Sequence, residues 1–189
     1  MSHDPVLRPI PSNELTDQQR SLYDAILGGR QRIGSQLSLT DEDGALVGPF
    51  DPILRTPAIG TAVSALGLAL RNEASLPRRV NEAAILTTAV RWEGRFEWFA
   101  HEAIVRNAEL INGSDITAIQ QSREPEDSEI ALAWRASNAI LEGKRLPDPL
   151  SAEVIGAWGE QGLVELCVLV GHYTNLALLM QSLAIEPPR

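Results

Sequence analysis

The chain has 189 residues, the size of one ordinary domain, and its composition of 44% hydrophobic and 22% charged residues excludes disorder as its main theme. Asp and Glu number 25 against 16 Lys and Arg, a formal charge of -9, which argues against a nucleic-acid binder or a ligand of anionic membranes. The single cysteine, Cys167, excludes an internal disulfide, a Cys-x-x-Cys redox pair and a zinc–cysteine centre.

The N-terminus carries His3, Asp4 and Pro5 and no apolar run, so it does not read as a signal peptide, and the expected compartment is the cytoplasm. Thr16 to Gln19 forms a capping box that opens a helix, with Gly28 and Gly29 as its close. Residues 29–55 make a long connection with a tight-turn signal at Asp43-Gly44, and Phe50, Ile53 and Leu54 make its end an ordered, packed segment. Thr56-Pro57 opens a helix over 58–71, and Ser75-Leu76-Pro77 opens the next, up to about Arg91. A further helix runs from near Arg95 to Ile111 and stops at Asn112-Gly113. Ser114 caps a short helix, Pro125 precedes one that reaches Gly143, and Ser151 starts one that ends near Gly159. The last long helix covers about 163–184. No alternating β-branched run interrupts this series, so the fold class is all-α. The domain reading is 1–189 as a single domain, with 1–55 as an N-terminal extension and 56–187 as the helical core.

From Leu166 to Ile185 there is no Asp, Glu, Lys or Arg, a length that spans a bilayer. His172, Thr174, Asn175, Gln181 and Ser182 lie within it and no basic cluster flanks it, so a central or subunit-buried helix is the expectation and a membrane span is not.

Three polar residues interrupt apolar helical stripes. Glu82 shares its face with Ile85, Leu86 and Ala89, where a carboxylate must find partners or shift its pKa upward. Its position alone leaves a structural and a functional role equally open. His101 lies in a row with Trp98, Ile104, Val105 and Ala108, and Glu97 sits one turn before it on the same face. That spacing predicts a Glu97–His101 hydrogen bond that orients the imidazole, as a general acid or base requires, although for an isolated Glu-x-x-x-His a helix-surface ion pair or a satisfied core histidine is the stronger reading. His172, among Val168, Leu169, Leu176 and Leu179, reads first as a core histidine and second as a lining residue. Glu82, Glu97, His101 and His172 suit a metal by ligand type, but no standard ligand spacing such as H-E-x-x-H is present, so no metal is expected. Cys167 reads as a small buried hydrophobe.

Leu76-Pro77, Asn81-Glu82, and Glu97-Trp98 with His101 together resemble the carboxymuconolactone decarboxylase family of the alkylhydroperoxidase-D-like superfamily. Gly48-Pro49-Phe50 with Leu54 to Pro57, and Val164-Glu165-Leu166 through Thr174, resemble the flanks of its longer members, so the resemblance covers about 47–187. The thiol branch of that superfamily carries a glutamate, a Cys-x-x-Cys and a histidine. Here these positions fall on Glu82, on Gly94 and Glu97, and on His101, so dithiol chemistry is excluded there. The resemblance implies an alkylhydroperoxidase-D-like helical bundle that assembles as a trimer or hexamer.

The activity it implies is a cofactor-free, decarboxylase-like lyase acting on a small lactone or unsaturated carboxylic acid. In that reading His101 transfers the proton, Glu97 orients it, and Glu82 is a second acid, base or positioning group. Trp98 walls the pocket, and Arg55 or Arg79 receives a substrate carboxylate. Lactone hydrolysis, isomerisation or a thiol-independent hydroperoxide reaction would use the same site. A non-catalytic oligomeric binding module is the alternative of another class.

Overall fold

The structure is a computed structural model that describes residues 5–31 and 38–187. It is all-α, with eight α-helices among the described residues and one isolated bridge, Thr40 to Leu46. The chain divides into two compact units, one holding residues up to Leu68 together with Leu179 onward, the other Ala69–Leu178.

In the first unit, α1 (Asp17–Gln31) starts as its capping box dictates: Thr16 N–H donates to Gln19 Oε1 at 2.9 Å, and Gln19 N–H donates to Thr16 Oγ1 at 3.4 Å. The helix does not close at Gly28-Gly29 but runs through both glycines to Gln31. The later part of the long connection is ordered. Gly44, at φ 73°, turns the chain between Thr40 and Leu46, and the Tyr23 hydroxyl donates to its carbonyl at 2.9 Å. The short α2 (Phe50–Ile53) then joins Leu22, Tyr23, Ile26, Leu46 and Leu54 in one apolar cluster. α3 (Pro57–Asn72) starts at the expected proline. Gly60 is required there, because a Cβ would sit 2.5 Å from the Ile53 carbonyl oxygen.

The second unit is built around α4 (Arg78–Arg91), in which every residue from Val80 to Ala89 is buried. A helix covered on all sides must be central, and α4 packs against α5 (Arg95–Asn107), α6 (Gly113–Gln120) and α7 (Ser128–Leu141). α4 ends on Glu93 in the left-handed region (φ 50°), closed by Gly94 N–H to Ala89 O at 2.8 Å and Glu93 N–H to Val90 O at 3.2 Å. α5 ends the same way on Glu109 (φ 51°), with Leu110 N–H to Val105 O at 3.0 Å. It therefore stops short of Ile111. Asn112 does not close α5 but opens α6, its side chain accepting the Asp115 N–H at 2.8 Å. Asp127, two residues after Pro125, caps α7 through the N–H groups of Glu129 and Ile130.

α8 (Asp148–Ser182) breaks at Gly159 (φ 72°, ψ 175°), so the two expected terminal helices are present and meet at that glycine. It is long and apolar enough to cross a membrane, and 44% of its most apolar 18-residue window is buried within the protein. Within the second unit, Glu165 on this helix accepts the N–H groups of Ser75 and Leu76 and the Ser75 hydroxyl, so it caps the turn that leads into α4. Burial raises its carboxyl, and these bonds with that from Gln161 outweigh burial and leave it below the usual range.

Candidate active site

The site lies within the second unit, where the tight turn between α4 and α5 sets two short-range neighbours, Glu82 and His101, face to face. His101 Nδ1 is 2.7 Å from Glu82 Oε2, and both residues are buried, at 7% and 5% exposure. An ionised carboxylate only accepts, so against Glu82 Nδ1 carries the proton of this bond. The predicted partner was different. Glu97, one turn before His101, does not hold the ring; the carboxylate across the helix pair does. Helix packing prevails here because a side chain at i−4 competes with one delivered directly by the facing helix.

Glu97 is the more unusual carboxylate. It is 3% exposed, and neither oxygen has a hydrogen-bond partner elsewhere among the described residues. Burial pushes it up to about 7, against a smaller lowering by its own backbone N–H. The carboxyl folds back towards Gly94, where a Cβ would lie 3.0 Å from Oε2. The two positions that the resemblance equates with a dithiol are thus a glycine beneath a protonatable carboxyl. Asp115 marks the contrast: it is fully buried, yet it accepts from the Glu126 backbone N–H at 2.7 Å and from Asn112 Nδ2 at 2.7 Å.

Tyr173 on α8 joins the two histidines. Its ring meets His101 edge-on at 5.2 Å and His172 edge-on at 5.3 Å between centroids. His172 is 7% exposed, and burial, with the nearby Arg71 charge, pushes it down to about 4, so it is neutral at physiological pH. It is a buried, neutral ring packed on Tyr173 beside the His101–Glu82 pair.

The remaining predicted residues are committed elsewhere. Trp98 is half-buried and its Nε1 donates to Glu102 Oε2 at 2.8 Å. Arg55 belongs to the first unit, where Nη1 binds Asp51 Oδ2 at 2.8 Å and Nη2 the Arg8 carbonyl. Arg79 pairs with Asp127 and, at 3.5 Å, with Glu129. Acidic neighbours have claimed both guanidinium groups that were expected to receive a substrate carboxylate. Cys167 is exposed on α8 rather than buried, and burial of part of its surroundings raises its thiol, which makes it a poor nucleophile.

Sequence reading missed Arg71, in the last turn of α3. It is half-buried, its Nε is buried without a hydrogen-bond acceptor, and its only sequence signal is an arginine at a helix C-terminus. Among the described residues no three of His, Cys, Asp and Glu lie close enough to hold a metal ion. The chain matches no family model and no curated protein.

Proposed function

We propose that this protein is an acid–base lyase of the carboxymuconolactone decarboxylase type, with an alkylhydroperoxidase-D-like bundle, acting without a cofactor on a small lactone or unsaturated carboxylic acid. The observation that carries the reading is the buried 2.7 Å pair of His101 and Glu82 with the unpartnered Glu97 one turn away. A structural histidine needs only a satisfied ring. An unpartnered carboxyl beside it serves no packing purpose and is what proton transfer requires.

In decarboxylation the bond to the departing carboxyl breaks, and its electron pair moves into the conjugated carbonyl as an enolate. Carbon then takes a proton. His101 Nε2 is the proton carrier, Glu82 fixes the tautomer and stabilises the imidazolium, and Glu97, half-protonated near neutral pH, is the acid that replenishes it. The acidic residues trade the roles expected of them: Glu82 orients and Glu97 supplies protons.

The reading also includes a soluble cytoplasmic homo-oligomer, trimeric or hexameric, with no nucleic-acid partner. Its support is the outer face of α8, where Val164, Val168 and Leu178 are 61%, 40% and 42% exposed, and where Glu165, bound to Ser75 and Leu76, is the one Asp, Glu, Lys or Arg from Val164 to Leu178.

The test is carbon dioxide release from a panel of unsaturated lactones that bear a carboxylate. Wild type is expected to turn over at least one of them, and His101→Ala to lose roughly 10²–10⁴-fold in rate while the helix content is kept. Turnover by His101→Ala equal to wild type would refute the assignment.

A further inference from the structure

We infer that Arg71 is the anion-binding end of this site and receives the carboxylate of a small unsaturated acid or lactone acid. The inference rests on the acid–base reading above for what happens to that substrate, but the binding itself stands on separate residues.

Three observations converge. First, Arg71 forms no ion pair with a carboxylate among the described residues, whereas Arg55, Arg79, Arg106 and Arg135 each do. A guanidinium carries five N–H donors, and the Arg71 Nε is buried with no acceptor. Second, the end of α3 is fastened beside the catalytic helix. Asn81 Nδ2 donates to the Leu70 carbonyl at 3.4 Å, so Arg71 follows a residue tied to the immediate neighbour of Glu82. Asn81 is 8% exposed, and its Oδ1 is also buried and unpartnered. An unsatisfied donor and an unsatisfied acceptor thus flank the start of the Glu82 helix. Third, the contacts continue to the acid–base pair: the Arg71 charge is felt at His172, His172 meets Tyr173, and Tyr173 meets His101.

Charge makes the cation necessary. The chain carries a net charge of -9, and an anionic substrate entering a site that holds two glutamates needs a local positive group. The Nε atoms of Arg79 and Arg135 are also buried without a hydrogen bond, but each faces a carboxylate, Glu129 at 3.5 Å and Glu124 at 3.2 Å, whereas Arg71 has no carboxylate partner among the described residues.

The experiment uses sorbate, an unsaturated monocarboxylate, and its neutral amide, titrated into the full chain while the histidine ring protons are followed by NMR. Sorbate is expected to shift the His172 and His101 signals saturably, and the amide to leave them in place. Arg71→Met, which keeps the aliphatic stem and removes the charge, is expected to weaken sorbate roughly tenfold to hundredfold, the loss typical of a charge-assisted hydrogen bond. Its His172 midpoint is expected to rise. Arg71→Lys keeps the charge without the fork and is expected to weaken sorbate severalfold, which decides the matter should Arg71→Met not fold. Unchanged sorbate affinity in the folded Arg71 variants, or no saturable shift in wild type, would overturn the inference. The acid–base reading fails separately: His101→Ala that binds sorbate and keeps full turnover removes that reading and leaves the Arg71 site standing.

Discussion

The middle of α4 and the first turn of α5 each bury a glutamate, to 5% and 3% exposure, and treat it in opposite ways. α4 holds Glu82 against an imidazole at 2.7 Å, so the cost of burying the charge is offset by a charge-assisted hydrogen bond. The first turn of α5 gives Glu97 nothing beyond its own backbone N–H, and the group answers by taking up a proton at about pH 7. Equal burial therefore does not mean equal chemistry. A carboxylate delivered across a helix pair becomes a fixed orienting group, and one left facing the start of its own helix becomes a proton reservoir.

Removing the paired carboxylate is the largest perturbation of this contrast. Glu82→Gln leaves an amide near Nδ1 and loses the charge that fixes the tautomer. Turnover is expected to fall within the roughly 10²–10⁴-fold range of a lost acid–base function, close to the His101→Ala loss. Glu97→Gln is expected to cost less and to remove the limb of the pH–rate profile near 7. Steady-state rates across pH check both, and a Glu97→Gln loss exceeding that of Glu82→Gln would reverse the roles.

Stability against pH separates the two sides of the cluster next. Between its ordinary 4.5 and about 7, Glu97 holds a proton when folded that the unfolded chain releases, so stability falls as pH rises through that window. His172 does the reverse. Between about 4 and its ordinary 6.5 the unfolded chain binds a proton that the folded state refuses, so stability rises with pH. Each shift amounts to roughly 3 kcal/mol, and across their common range the slopes oppose one another. Glu97→Gln should expose the rising slope of His172, and His172→Gln the falling slope of Glu97. Urea midpoints at several pH values between 4.5 and 7.5 check this. Parallel profiles for wild type and both variants would contradict it.

The smallest expected effect comes from Gly94→Ala. Its methyl would come 3.0 Å from Glu97 Oε2 and touches nothing of Glu82, so it presses on one carboxyl alone. The cost in stability is expected to stay within about 1 kcal/mol, with the Glu97 midpoint moved upward as its carboxyl is pushed from its own backbone N–H. A thermal scan paired with a pH titration reads both quantities.

Helix starts were legible because caps are local: Thr16 with Gln19, and Pro57 after Thr56, need only neighbours in sequence. Helix ends were less so. α4 stops at Arg91, where the sequence places its end, but the chain closes α5 with Glu109 in the left-handed region, so a search for Gly or Asn looks past that stop and takes Asn112 for an end when it is a beginning. In the site, Glu82, His101 and His172 could be picked out as polar groups on apolar stripes. Which carboxylate His101 would take could not, because i−4 spacing is visible in a sequence and the packing of α4 on α5 is not. Arg79 and Arg71 look alike as residues. Only the fold distinguishes the one paired with Asp127 and Glu129 from the one with no carboxylate partner among the described residues.

The most direct measurement of the contrast is a carbon-13 titration of the glutamate side-chain carboxyls, with Glu97→Gln used to assign the signal. The account predicts one carboxyl that titrates near pH 7 in the wild-type protein and vanishes in that variant. A Glu97 signal that titrates near 4.5, as an ordinary solvated glutamate does, would contradict it.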